Sequence, residues 1–182
     1  MKSCQQNEYQ TIYDHGVSVQ EHFIRLYTNN LEGFKIPNWL IQYKNKIHKK
    51  LMSYETCMEY TLFHDCGKPR CLSIDSEGKR HFPNHTKVSA DLWRSLEESE
   101  DVARLIEMDM DIHILKSENI KEFSSREEAI TLLIAGLAEI HSNANMFGGI
   151  DSTSFKIKWK QIDKKGQKIC DIIFNNKGVS HE

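Results

Sequence analysis

The sequence lacks the features of membrane, secreted and repetitive proteins. None of its apolar runs approaches the length that crosses a bilayer, and the N-terminal stretch MKSCQQNEYQ is too polar for a signal peptide. Its five cysteines form no CxxC pair and are odd in number, which favours a reduced chain over a disulfide framework. No internal repeat or low-complexity linker divides the chain. We therefore predict a cytoplasmic protein without a membrane partner.

A strong charge of either sign is also absent. The formal net charge is -2, so the chain has no overall basic field of the kind that bulk nucleic-acid binding requires. Hydrophobic residues make up 39% and charged residues 27% of 182 residues, which is enough for one domain with a proper core.

Helical spacing of apolar residues dominates up to about residue 147. The predicted helices lie within residues 14–27, 36–52, 53–65, 84–98, 99–115 and 124–147. We expect Asp14 and Ser53 to cap the first and third helices, and capping boxes at Ser124 and Ser125 to start the last. Residues 69–84 are rich in turn formers and predict a loop between the third and fourth helices.

The C-terminal segment has a different pattern. Apolar and polar residues alternate on both sides of the sequence DKKG, which predicts a two-stranded β-hairpin. In the first strand, one face would contain the apolar residues Phe155, Ile157 and Trp159. The opposite face would contain Lys156, Lys158 and Lys160. The predicted fold is therefore mainly α, with a helical bundle in residues 1–150 and a β-hairpin in residues 151–182 appended to the same domain.

Imidazoles and carboxylates stand near one end of every predicted helix except the second. These residues are His15, His64, Asp65, His85, Asp109, Asp111, Glu139 and His141. Helical bundles build metal sites from side chains that converge from facing helices. Mixed histidine and carboxylate ligands suit Mn, Fe, Co, Ni or Zn better than calcium. The pattern therefore predicts a divalent metal site.

The segments DHGVSVQEHF, LFHDCGKP and HFPNHTKVSADL follow one another in the order H…HD…H. With this order the chain resembles the HD-domain metal-dependent phosphohydrolases, and in particular the HD region of bacterial tRNA nucleotidyltransferases, over about residues 13–145. The resemblance implies an HD-type bundle and one or two divalent ions, Mg included, bound by His15, His64 and Asp65. It also implies that His85 binds a second metal or a phosphate, and that Lys68 contacts phosphate.

The chain departs from the family pattern at the last ligand. Asp109 stands where many members have a further histidine, and Glu139 and His141 stand where the closing aspartate is expected. His141 is the first choice because it precedes the polar run SNAN, from which Asn143 could contact substrate. Among the other histidines, we assign no site role to His22, His48 and His181, and His81 is a minor candidate.

Structural alternatives stand beside these assignments. The His-Asp pair at a helix end could be a cap and a salt bridge, and His85 could contact Asn84 at a helix start. Asp109 and Asp111 could be solvated charges, and Lys68 could favour a helix C-terminus. The lysines of the last segment, which also include Lys164, Lys165 and Lys168, could form a solvated strand edge.

Two functions follow from this sequence. The favoured one is an HD-type phosphomonoesterase or phosphodiesterase that acts on a nucleotide, a cyclic phosphate or a nucleic-acid phosphate end. Lys68 and His85 would then neutralise phosphate charge, and Glu139 or Asp109 would take the proton. The alternative is a non-catalytic HD-like module that binds nucleic acid or protein through the lysines of the hairpin. A homodimer stays open in either case.

Overall fold

Helices make up most of the fold, and two short strands form one hairpin. The structure, a computed structural model, describes residues 1–7 and 10–175. The first helices are α1 (Ile12–Thr28), α2 (Asn38–Gln42), α3 (Lys44–His48), α4 (Tyr54–Phe63) and α5 (Lys68–Cys71). The hairpin strands are β1 (Ser73–Ile74) and β2 (Arg80–His81). The later helices are α6 (His85–Arg94), α7 (Glu100–Glu107), α8 (Asp111–Ile114), α9 (Ile120–Ser124), α10 (Ala129–Ser142) and α11 (Thr153–Asn175).

Helix α10 forms the centre of the core. All but two of its 14 residues are buried, because this helix is apolar on nearly every side and other helices surround it. Helices α1, α8, α9 and α11 pack against it, and α4 joins the core through α1 and α7. The largest fully buried side chains around it include Phe23, Trp39, Tyr60, Phe123 and Phe155.

Side-chain caps fix the starts of two helices that position the candidate site. The Ser53 side chain accepts a hydrogen bond from the Thr56 backbone and caps α4, as predicted. The prediction that Asp14 caps α1 is wrong, since Thr11 is the N-cap. Asp14 instead occupies the third helical position and completes a capping box with Thr11.

The predicted start of the last bundle helix is also wrong. Helix α10 begins at Ala129, several residues later than a helix capped by Ser124 or Ser125 would begin. Both serine hydroxyls donate hydrogen bonds back to carbonyls of α9, at Ile120 and Glu122, so neither of them caps α10.

The predicted C-terminal β-hairpin is wrong, because residues 153–175 form the single helix α11. The core-facing positions of α11 are Phe155, Trp159, Ile162, Gly166, Ile169 and Ile173. They recur every three or four residues over the whole segment and across DKKG, which is the period of a helix and not the alternation of a strand. Residues 176–182, the end of the predicted hairpin, lie outside the described residues.

Gly166 explains why the DKKG sequence stays helical. A Cβ atom at this position would lie 2.4 Å from the Trp39 indole ring, so glycine lets α11 pack directly on that ring. The β-hairpin lies instead in the predicted loop, where Ser73 pairs with His81 and Ile74 with Arg80. Over residues 1–7 and 10–175, no helix combines the length and the apolar character that crossing a bilayer requires.

Candidate metal centre

Three buried ligand atoms meet where α1 packs against the C-terminal end of α4. His15 lies in the first turns of α1, His64 directly follows α4, and Asp65 comes next. Their ligand atoms all lie within 4.8 Å of one another. Asp65 Oδ2 is 3.3 Å from His64 Nε2 and 3.9 Å from His15 Nε2. The fold therefore brings together the three residues that the sequence resemblance assigns to a metal.

Contacts behind the two imidazoles orient their Nε2 atoms. His64 Nδ1 lies 3.0 Å from the Thr61 carbonyl, to which it donates, so Nε2 is the ligand nitrogen of the neutral ring. His15 Nδ1 lies 3.3 Å from the side-chain amide nitrogen of Gln10, a contact that also holds this ring in place. Nε2 of both rings and Oδ1 of Asp65 are buried without a hydrogen-bond partner among the described residues. Three such atoms at one place fit a bound cation.

Lys68 and His85 border the three ligand residues. Lys68 Nζ donates hydrogen bonds to Asp65 Oδ2 at 2.5 Å and to Gln6 Oε1 at 3.2 Å. His85 is the first residue of α6, and its Nε2 lies 3.7 Å from Asp65 Oδ1. Its Nδ1 lies 3.1 Å from the Phe82 carbonyl, which orients the ring in the same way as in His64. The side chain of His85 is partly exposed, so it can meet a ligand that enters from solvent.

Glu139 reaches the cluster from the central helix α10. Its Oε1 lies 3.9 Å from His15 Nε2, and its Oε2 lies 2.7 Å from His113 Nε2. Of the three residues considered as the last ligand, Glu139 is the one with a carboxylate oxygen close to a ligand atom. His113 was not predicted as a site residue. The available signal was its position four residues after Asp109, on the turn of α8 that packs against α10.

The charges around the cluster set different protonation states for its histidines. Burial lowers the pKa of His15 to about 4, and the neighbouring His64 adds to this effect. Burial also opposes a charge on His64, but the surrounding carboxylates, with Asp65 foremost, outweigh it and raise the pKa of His64 to about 10. Burial would raise the pKa of Glu139, yet His113 holds it at about 2. A cation that binds here at neutral pH must therefore displace a proton from His64.

Asp109 lies beside the cluster but outside its group of ligand atoms. Its Oδ1 accepts a hydrogen bond of 2.6 Å from the Tyr60 hydroxyl, and burial raises the pKa of this carboxyl. Asp109 is therefore a buried group beside the cluster and not a solvated helix-end charge, and it is not among the three residues whose ligand atoms lie within 4.8 Å of one another. Asp111 forms an ion pair with Arg126 on the surface, in agreement with its structural alternative.

His141, the first choice for the last ligand, does not join the cluster. Its Nδ1 lies 2.9 Å from the Leu137 carbonyl, and its Nε2 accepts a hydrogen bond from the Lys35 backbone N–H. Both ring nitrogens are therefore occupied, and the ring fastens the segment before α2 to α10. Asn143 is the residue after α10, and its side chain forms no hydrogen bond with the cluster in the described part of the chain.

The contacts of His141 predict an acid-sensitive contribution to stability. Burial lowers the pKa of His141 to about 4 in the folded state, so this contribution is complete above about pH 6.5 and is lost as the pH falls toward 4. Between pH 7 and pH 5 the loss should be about 2 kcal/mol in the free energy of unfolding. Urea denaturation of the wild type and of His141→Phe, which keeps a ring but cannot titrate, measures the difference. The same substitution at the exposed His48 is the control.

An unchanged pH dependence in His141→Phe would show that burial does not lower the pKa of His141 in the folded state.

His22, His48 and His81 lie away from the cluster, as expected for the first two, whereas His81 was a minor candidate. His81 pairs with the exposed Asp75 on the hairpin, and His22 and His48 pack against aromatic rings. His181 lies outside the described residues.

The geometry therefore separates the predicted site residues into three groups. His15, His64, Asp65, Lys68, His85 and Glu139 lie together, whereas Asp109 stands beside them and His141 and Asn143 stand apart. This chain matches no protein-family model, no curated protein and no solved structure.

Proposed function

We propose that this chain is an HD-type, divalent-metal-dependent phosphohydrolase whose helices form an HD-type bundle. The observation that carries the proposal is the buried cluster of His15, His64 and Asp65, in which both Nε2 atoms and Asp65 Oδ1 have no hydrogen-bond partner among the described residues. The order of these residues along the chain, followed by His85, supports the same reading. The substrate class is a nucleotide, a cyclic phosphate or a nucleic-acid phosphate end.

The donor set fits a borderline divalent ion. Two imidazole nitrogens and one carboxylate oxygen suit Mn, Fe, Co, Ni or Zn, and the carboxylate also suits Mg. His85 and Asp65 Oδ1 face each other and offer a place for a second ion. When bound, such an ion polarises a phosphoryl oxygen and lowers the pKa of a water ligand.

Lys68 and His85 supply positive charge and hydrogen-bond donors at the edge of the cluster. Lys68 is held by Asp65 and Gln6, so its ammonium group is already positioned beside the ligand atoms. A phosphate group that enters beside His85 meets both side chains, which neutralise its charge.

The Glu139 carboxylate approaches His15 from helix α10. Because its pKa is about 2, this carboxylate is ionised at neutral pH and orients a water molecule by accepting a hydrogen bond at Oε1. His113 holds the other oxygen, Oε2, and keeps the carboxylate in place. Glu139 is thus better suited to closing the ligand set or to orienting water than to storing a proton.

A non-catalytic HD-like module that binds nucleic acid or protein is the second candidate. Five of the six lysines of α11 favour it, since they are exposed and lie on an element that does not carry the cluster. Metal content and hydrolysis separate the two functions.

Protein purified without chelator should contain about one or two divalent ions per chain and should hydrolyse bis-p-nitrophenyl phosphate. Elemental analysis measures the first, and absorbance of released nitrophenol with and without EDTA measures the second. His64→Gln should lower both, because it removes one of the three ligand atoms.

The chain offers a matched control in its second His-Asp pair. His81 lies 2.7 Å from Asp75 on the exposed hairpin, so His81→Gln should leave metal content and rate unchanged. Protein that neither contains metal nor takes up Mn or Ni would exclude the proposal. Metal binding without hydrolysis of any phosphoester would favour the non-catalytic module.

A further inference from the structure

Positive charge is concentrated on α11. The whole chain has 24 Lys and Arg against 26 Asp and Glu, and α11 alone has six lysines against two aspartates. The remainder of the chain therefore has 18 basic and 24 acidic residues. The nearly neutral net charge conceals a basic element on an acidic body.

Helical geometry arranges four of these lysines in one line, which we call the lysine stripe: Lys156, Lys160, Lys164 and Lys168. They recur every fourth residue, so neighbouring members are about 6 Å apart along the helix axis. All four are exposed, while the opposite side of α11 is buried in the core. The single lysine face predicted for a strand, with Lys156, Lys158 and Lys160 side by side, does not form. In the helix Lys158 points roughly 200° away from Lys156.

Little in the described chain neutralises the lysine stripe. Only Lys156 has an ion pair there, with the exposed Asp151 at 3.8 Å. Of the two aspartates on α11, Asp171 is engaged by the Tyr43 hydroxyl at 2.7 Å. Lys160, Lys164 and Lys168 thus have no ion-pair partner among the described residues.

A groove runs beside the C-terminal half of the lysine stripe. It has a volume of about 640 Å³ and lies between α11 and the polar residues Asn38 and Ser117. Lys164 and Lys168 line it, as does Lys165, whose Nζ is anchored by the Ile112 and His113 carbonyls. Asp163 and Ile120 also line it, so three lysines outnumber one carboxylate in a groove that neutral polar side chains complete.

We propose that the lysine stripe and this groove bind the phosphodiester backbone of a nucleic acid. Along one nucleic-acid strand, phosphates two nucleotides apart are separated by about 6.8 Å of helix axis. This distance is close to the spacing of the lysines in the stripe. Most protein contacts to such a backbone come from lysines, arginines and neutral polar side chains, and lysines and neutral polar side chains predominate here. The inference does not rest on the proposed hydrolysis.

The surface does not suit the other polyanions as well. A helix that binds an anionic membrane inserts an apolar face beside its cations, but the apolar face of α11 is buried against the core. Ile157 is the one large apolar side chain of α11 that is strongly exposed. An unfolded acidic peptide, such as polyglutamate at neutral pH, has no fixed charge spacing that matches the lysine stripe.

The test compares Lys160→Gln/Lys164→Gln/Lys168→Gln with a control of equal charge, Lys44→Gln/Lys49→Gln/Lys50→Gln. Fluorescence anisotropy measures binding to a mixed-sequence 20-nucleotide RNA from 50 to 200 mM salt, with EDTA present. Three lost phosphate contacts should flatten the log-log slope by about 2 to 3. The wild type and the control should then lose roughly 20- to 40-fold more affinity over this range than the stripe variant.

Two further probes, phosphatidylserine vesicles and a polyglutamate peptide, identify the polyanion. Equal slopes for all three proteins, or no RNA binding by the wild type at 50 mM salt, would overturn the inference. Tighter binding to vesicles or polyglutamate than to RNA would also overturn it. Circular dichroism of each variant establishes that α11 is folded, and EDTA keeps the result independent of the metal centre.

Discussion

Asp65→Asn is expected to abolish both divalent-metal binding and phosphodiester hydrolysis. Asp65 lies between His15, His64 and His85, and its carboxylate is the acidic member of the central ligand group. Replacing a residue that merely supports a metal ligand typically lowers affinity by about 10- to 100-fold, so loss of a ligand charge should exceed about 100-fold. Calorimetric titration with Mn or Ni and the bis-p-nitrophenyl phosphate assay measure the two effects.

The same substitution removes the partner of Lys68. A buried charge left without its partner costs about 3 to 5 kcal/mol, so the single variant could lose its fold together with its metal. Asp65→Asn/Lys68→Met removes both charges and should fold while still failing to bind metal. Asp111→Asn, which breaks an exposed ion pair with Arg126, is the control and should cost no more than about 1 kcal/mol. Metal affinity unchanged in the double variant would assign Asp65 a purely structural role.

The residues of the centre that could be predicted from sequence are those fixed by local structure. His64 and Asp65 follow a helix that ends before Gly67, and His85 follows the turn that starts α6. Such positions depend on helix starts and ends, which capping and turn residues signal. The sequence resemblance then connected His15 to them.

The choice between Glu139 and His141 could not be made from sequence. Side chains two positions apart on a helix, as these are, point in directions that differ by roughly 200°. Only one of them can therefore face the cluster. Helix α10 is apolar on nearly every side, and its own pattern therefore does not show which side faces α1. Tertiary packing turns Glu139 toward the cluster, and the same packing brings His113 to Glu139.

The C-terminal segment shows how a local period can mislead. Alternation over Phe155, Ile157 and Trp159 matches a strand, but Ile157 is 54% exposed in the helix. The longer period places Ile162 and Ile169 in the core with Phe155, and it extends across DKKG. A hairpin would have broken that longer apolar face, whose burial outweighs the turn preference of one glycine.

Gly16→Ala should damage the fold and the centre together. Gly16 follows His15 on α1, and a Cβ atom there would lie 2.2 Å from the Leu62 carbonyl oxygen of α4. Backbone cannot rotate away as a side chain can, so α1 must move from α4 and take His15 away from His64. We expect a loss of about 3 kcal/mol in the free energy of unfolding, at the upper end for overpacking, with weaker metal binding.

Gly136→Ala on α10 is the matched control for this close approach. Its added Cβ would meet Ile112 Cγ2 at 2.8 Å and Ile162 Cδ1 at 3.1 Å, which are side-chain methyl groups and not backbone. Because alanine also favours a helix over glycine by about 0.5 to 1 kcal/mol, this variant should stay within about 1 kcal/mol of the wild type. Urea unfolding and Mn titration of both variants compare the two sites. If Gly16→Ala were as stable as Gly136→Ala and bound metal equally well, the contact of α1 with the Leu62 backbone would not be what joins His15 to His64.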